Sequence, residues 1–224
     1  MLDSIGVILD CDGVLLDSLD AWFEAEEYVC QGGRRALTQR DTDYVNTLTI
    51  VEAAHFFHEE FGVGESDEDV YAQIDAYMLN YYQERVQACA GALDFVRGIR
   101  AAGARITVVS SSPLRFLQPG LSQAGFSPYL DDILSADDMR TSKRERLIFD
   151  VARKTMGTAA RNTWGFDDTA YALDTLADAG YRTVGIFSCD KNSTVAQLAQ
   201  AAEFTFEAGF SQCTPARFQQ MVRG

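Results

Sequence analysis

Four short apolar runs, "IGVIL" (5–9), "RITVVS" (105–110), "NTWGF" (162–166) and "RTVGIF" (182–187), constrain the chain most, and "DDILSAD" (131–137) is a weaker fifth. None alternates apolar with polar residues. A strand buried on one face alternates; one buried on both faces does not, and strands of that kind belong to parallel sheets covered by helices. Helical patterns lie between the runs, at 91–103, 114–125, 143–157 and 169–180, with glycine where a helix C-cap would fall. Repeated strand–helix–strand connections are right-handed and stack helices on both faces. The expectation is an α/β fold, a doubly wound parallel sheet. Residues 17–86 break the rhythm. "LDAWFEAEEYVC", "TIVEAAHFFHEEFG" and "DEDVYAQIDAYMLNYYQERVQ" carry helical spacing, with "QGGRRALT" (31–38) as a loop among them. They read as an inserted α-helical cap, so the expected domains are an α/β core of 1–16 with 87–224 and a cap of 17–86.

Charge narrows the partners. Acidic residues number 33 against 19 basic ones, giving −14, with Lys143, Lys154 and Lys191 the only lysines. Such a surface repels nucleic acid and anionic membranes. No apolar run approaches the ~18 residues of a membrane span, and the N-terminus has neither the basic region nor the apolar centre of a signal peptide. Cysteines at 11, 30, 89, 189 and 213 are odd in number and include no CxxC, which argues against a disulfide framework or a structural zinc. A cytoplasmic location is expected.

In an open α/β sheet, ligands bind beyond the carboxyl ends of the strands. The first run presents Asp10 and Asp12 there, and the second Ser110, Ser111 and Ser112. Lys143 follows the weaker run, at the expected start of a helix, and "NTWGF" leads into Asp167 and Asp168. Carboxylates this close repel unless a cation compensates. Mg²⁺ prefers carboxylate oxygens, water and phosphate. A carboxylate beside it can attack phosphorus, a second can move protons, and a hydroxyl with a lysine can hold the phosphoryl oxygens. The set suits phosphoryl transfer.

The chain resembles the haloacid dehalogenase (HAD) superfamily of phosphatases. "DCDGVLLDS" (10–18) is similar to the first family motif and "ITVVSSSP" (106–113) to the second. "KRERLIF" (143–149) is similar to the third and "DDTAYALDTLADAG" (167–180) to the fourth. The resemblance, to members with a helical C1-type cap such as phosphoglycolate phosphatase and β-phosphoglucomutase, implies a HAD-like Rossmannoid core. It also implies Asp10 as nucleophile and Asp12 as general acid/base. Mg²⁺ would be bound by the Asp10 carboxylate, the Asp12 carbonyl and Asp168, and the phosphoryl group by Ser110 and Lys143. Asp167 would bind the metal or orient its water. Departures are Asp167 where many members have glycine, Ala172 where many have a second aspartate, and Arg144 in place of proline after the lysine.

The implied activity is a Mg²⁺-dependent phosphatase that hydrolyses a small phosphorylated metabolite through an aspartyl phosphate. Ser111 and the cap arginines Arg34, Arg35 and Arg40 are candidate substrate contacts. A phosphomutase of the β-phosphoglucomutase type is the alternative, but "SLDAWFEAEEY" (18–28) lacks the histidine and lysine such mutases use after the first motif. A phosphonate hydrolase would need a cap lysine, which is absent, and a dehalogenase lacks the acid/base aspartate, present here as Asp12. From another class, a phospho-acceptor receiver domain shares the residue types but has no helical insertion and orders its acidic residues differently. His55 and His58, in "AAHFFHEEF" (53–61), read as structural or surface residues. The motifs specify neither the natural substrate nor an oligomeric state.

Overall fold

The structure, a computed structural model, describes residues 2–45, 48–188 and 192–223, apart from the side chain of Asp43; Cys189 and Lys191, noted above, lie outside the described residues. Along the chain, β1 (Gly6–Leu9) is followed by α1 (Leu19–Val29), α2 (Gln39–Val45), α3 (Ile50–Phe61) and α4 (Asp67–Glu84). Then come α5 (Ala92–Ala101), β2 (Arg105–Ser110), α6 (Leu114–Gln123), β3 (Asp132–Ser135), α7 (Arg146–Met156) and β4 (Thr163–Asp167). The chain closes with α8 (Ala170–Asp178), β5 (Arg182–Ile186), α9 (Val195–Ala201), β6 (Phe204–Phe206) and α10 (Pro215–Arg223). It divides into two compact units, Met1–Asp17 with Val86–Gly224, and Ser18–Arg85. None of the described helices is long and apolar enough to cross a membrane.

Among the described residues the first unit forms one sheet of six parallel strands, ordered β3-β2-β1-β4-β5-β6. The doubly wound expectation holds. From β1 the chain winds outward through β2 and β3, then returns and winds the other way through β4 to β6. The switch point lies at β1, where crevices open at the carboxyl edge. The register sets Leu9 against both Val108 and Phe166, so β1, β2 and β4 end level with one another. Strand β6 carried no readable signal, because three residues at a sheet edge are too few for a pattern.

Both faces are covered. On one, Phe95 of α5 and Phe218 of α10 pack with Trp164, Phe166 and Phe210, ring centroids 4.6 to 6.2 Å apart. On the other, Ile8 and Val109 meet Ile148, Phe149, Ala152 and Met156 of α7, and Ala172 and Leu176 of α8. Burying each such large side chain contributes roughly 1.5–3 kcal/mol, so these layers hold the strand ends still. Gly165 allows α8 to approach closely, since any Cβ there would collide with Leu176.

The second unit, described by itself, is helical. Ala21, Ala25 and Val29 of α1, Ala54, Phe57 and Phe61 of α3, and Val70, Ile74, Met78 and Tyr82 of α4 are buried at helical spacing. Thr49 and Glu52 form a reciprocal capping box at the start of α3. Gly62 ends that helix at φ +65°, a left-handed turn that glycine adopts without steric cost. His58 bonds the Val63 carbonyl at 2.8 Å, and exposed His55 pairs with Asp67 at 2.7 Å.

Candidate active site

Asp10 continues β1, its N–H donating to the Phe166 carbonyl at 2.9 Å. Its Oδ1 accepts from the Cys11 N–H at 2.7 Å and lies 2.6 Å from Lys143 Nζ. The backbone then turns through Gly13 at φ +80°, a conformation in which a side chain would be strained. The Gly13 N–H donates to the Leu16 carbonyl, closing a loop that carries Asp12 beside β2. Asp12 Oδ2 accepts from Ser112 Oγ at 2.7 Å and from Ser110 Oγ at 3.3 Å.

Lys143 is buried, 3 % exposed. It stands in the turn before α7 and not on the helix, because Glu145 is extended and the helix begins at Arg146. Freed from a helix face, its side chain reaches Asp10, and it donates to Asp167 Oδ2 at 2.9 Å. Asp167 Oδ1 accepts from the Thr169 N–H at 2.9 Å and its hydroxyl at 2.6 Å. Both Asp167 oxygens therefore have partners. Asp168 differs. Its Oδ2 accepts from Ser188 Oγ at 2.6 Å and Asn192 Nδ2 at 2.7 Å, while its Oδ1 is buried with no partner.

Oxygens of Asp10, Asp167 and Asp168 lie within 4.8 Å of one another. Two of these buried acids, Asp10 and Asp167, share the Lys143 ammonium, and Asp168 stands beside them. Burial, with Asp167 and Asp168 adding to it, raises the Asp10 carboxyl well above the usual range despite Lys143. Burial alone would depress Lys143, but Asp10 and Asp167 more than reverse it, so the amine stays charged. Burial, then Asp167, pushes Asp168 up to about 6 against the opposing hydrogen bonds of Ser188 and Asn192. The site thus carries uncompensated negative charge and one orphaned oxygen. That donor set fits a hard divalent cation with oxygen ligands.

The structure brings Asp10, Lys143, Asp167 and Asp168 together, and joins Asp12 to Ser110. Ser111 is exposed. Arg34, Arg35 and Arg40 belong to the helical unit. Asp41 grips Arg35 there with both oxygens, at 2.6 and 2.8 Å, and its guanidinium lies 4.0 Å over the Phe61 ring. Arg34 donates its N–H to the Phe61 carbonyl at 2.7 Å. Ser112, Thr169, Ser188 and Asn192 escaped the sequence reading as site residues. Ser112 carried a signal, standing in the serine run that begins at the end of β2. Cys11, wedged between the aspartates, is wholly buried, and burial holds its thiol well above the usual value, so it packs without reacting.

Comparison with known proteins gives the family and the fold. Residues 6–180 match the family model described as haloacid dehalogenase-like hydrolase. The chain is 23% identical over 192 residues to the GMP/IMP nucleotidase YrfG of Escherichia coli, covering 79% of each. It is 18% identical over 178 residues to a phosphorylated carbohydrates phosphatase of Thermotoga maritima, covering 80% of this chain and 82% of the relative. The solved β-phosphoglucomutase of Clostridium difficile superposes with a TM-score of 0.76 at 17% identity, covering 100% of this chain and 98% of that one.

Proposed function

The chain belongs to the haloacid dehalogenase-like hydrolase family, and from that premise we propose that it is a Mg²⁺-dependent phosphatase acting on a small phosphate monoester through an aspartyl phosphate. The carrying observation is the buried group of Asp10, Asp167 and Asp168 around one lysine, with Asp168 Oδ1 unpartnered. Asp10, Asp168 and the Asp12 carbonyl would hold the cation, which would neutralise the repulsion between an anionic nucleophile and an anionic phosphate.

Asp10 attacks phosphorus and the ester oxygen leaves with a proton from Asp12. Lys143 and Ser110 bind the nonbridging oxygens, where negative charge is redistributed in the transition state. Water then attacks the aspartyl phosphate as Asp12 takes its proton, releasing phosphate and restoring Asp10. Asp167, with both oxygens engaged, positions Lys143 and the Thr169 end of α8. The helical unit interrupts the α/β unit between β1 and α5, and serves in this reading as the family's cap. Arg34 and Arg40 are its first candidates for an anionic substrate tail, since Arg35 is already held by Asp41.

The relatives act on nucleoside monophosphates and phosphorylated carbohydrates by name. The test is therefore a panel holding both classes, with and without Mg²⁺, and acid-quench trapping of phosphoenzyme in wild type and Asp10→Asn. Mg²⁺-dependent phosphate release with trapped phosphoenzyme is the expected result. Isomerisation of a sugar phosphate without phosphate release would point to the mutase reading instead.

A further inference from the structure

We infer that Ser112 is a positioning residue for the proton transfer, holding the Asp12 carboxylate in the orientation from which it protonates the leaving oxygen. This rests on the phosphatase reading above. Ser112 is buried, 9 % exposed. Its hydroxyl donates to Asp12 Oδ2 at 2.7 Å, the shorter of the two serine contacts to that oxygen. Its N–H donates to Ser110 Oγ at 3.0 Å, so Ser110 must turn its own proton elsewhere, and Asp12 Oδ2 lies 3.3 Å away. One residue thus aims both groups.

The hydroxyl is not spent on the local helix. Pro113 occupies the N-cap of α6, and the first amide of that helix, Leu114 N–H, donates to Asp138 Oδ2 at 2.7 Å. Ser111, between the two buried serines, is exposed. The step balances simply. Protonated Asp12 gives its proton to the departing ester oxygen as the P–O bond breaks and Asp10 bonds to phosphorus; ionised Asp12 later takes a proton from the attacking water. While Oδ2 accepts from the Ser112 hydroxyl, the transferable proton is directed to Oδ1. Losing Ser112 frees the carboxylate to rotate away from that alignment.

A carboxylic acid matters most when the leaving group is poor, and general acid–base assistance is worth ~10² to 10⁴-fold. The experiment compares phosphoenzyme formation in single turnovers from an alkyl phosphate that wild type hydrolyses and from p-nitrophenyl phosphate. Wild type, Ser112→Ala and Ser112→Thr are run with saturating Mg²⁺. In Ser112→Ala the alkyl rate should fall at least about tenfold further than the aryl rate, and Ser112→Thr should recover most of the alkyl rate. If Ser112→Ala does not fold by circular dichroism, Ser112→Cys, nearly isosteric but a weaker donor, carries the same contrast. Equal losses on both substrates, or no recovery in Ser112→Thr, would overturn the assignment while leaving the phosphatase reading intact. A wild type that forms no phosphoenzyme from any monoester would overturn that reading, and this inference with it.

Discussion

Two acid-rich places in this molecule behave in opposite ways. An open groove of about 540 Å³ in the helical unit is lined by Glu52, Glu59, Glu60 and Asp67 beside Tyr44, Phe56 and His55. Glu52 and His55 there are shifted toward their charged forms. The Thr49 N–H and hydroxyl lower Glu52, and Asp67 raises exposed His55. At the edge of β1 and β4 the carboxyls of Asp10 and Asp168 move up, because burial and their acidic neighbours disfavour ionisation. Glu52 is lowered in the groove, whereas Asp10 and Asp168 are raised at the sheet edge. Carboxylates that serve the fold find partners that lower them, and carboxylates held against burial await a ligand or a reaction.

The comparison breaks most decisively at Asp10. Asp10→Asn should lower phosphate release by on the order of 10⁴-fold or more while the protein stays folded, since removing a covalent nucleophile is among the largest single losses an enzyme shows. A clean preparation keeping more than a few per cent of the wild-type rate would move the nucleophile elsewhere. Lys143→Met comes next. It leaves buried carboxylates without their ammonium and should cost about 3–5 kcal/mol in urea unfolding without Mg²⁺. A loss under about 1 kcal/mol would show that Asp10 and Asp167 do not depend on that amine.

Asn192→Ala sharpens the role of Asp168. It removes a 2.7 Å donor that orients the carboxylate. Partners of that kind are typically worth 10–100-fold in metal affinity. Calorimetric titration with Mg²⁺, or with Mn²⁺ as a probe, should show a weakening in that range; an unchanged affinity would detach Asp168 from the metal. The pH dependence is a subtler test. With its value raised to about 6, folded Asp168 binds its proton more tightly than the unfolded chain does. The stability it contributes is present at acid pH and is lost as pH rises through about 6. A cation that takes the proton's place should therefore raise Tm more at pH 7.5 than at pH 5. Equal Mg²⁺-induced shifts at the two values would mean that Asp168 is not the site of competition. The smallest effect belongs to the groove: Asp67→Asn, at an exposed ion pair, should change stability by less than about 1 kcal/mol.

Much of this was legible beforehand for particular reasons. Apolar runs that do not alternate announce a sheet covered on both faces, and Asp10, Ser110 and Asp167 each end or follow such a run. Residues adjacent to strand ends are placed by local sequence once the sheet is parallel. Lys143 was named by its spacing to Phe149, yet it sits in a turn ahead of α7. A helix start depends on the backbone of Glu145, which the residue pattern does not disclose. Ser188 and Asn192 lie beyond β5, two strands from β1 in the sheet order, and no spacing in the chain ties them to Asp168.

By itself, then, the sequence determined the layered α/β architecture, the helical insertion and the chemical kind of the reactive groups. Those follow from local periodicity and from which side chains can bear charge. Only the tertiary structure decided how the charges are shared. It gave both oxygens of Asp167 partners, left one oxygen of Asp168 without any, and set Ser112 against Asp12 across 100 residues of chain. Adjacent aspartates are indistinguishable as letters. They become different groups when burial removes water and each oxygen must be satisfied by whatever the fold brings within about 3 Å.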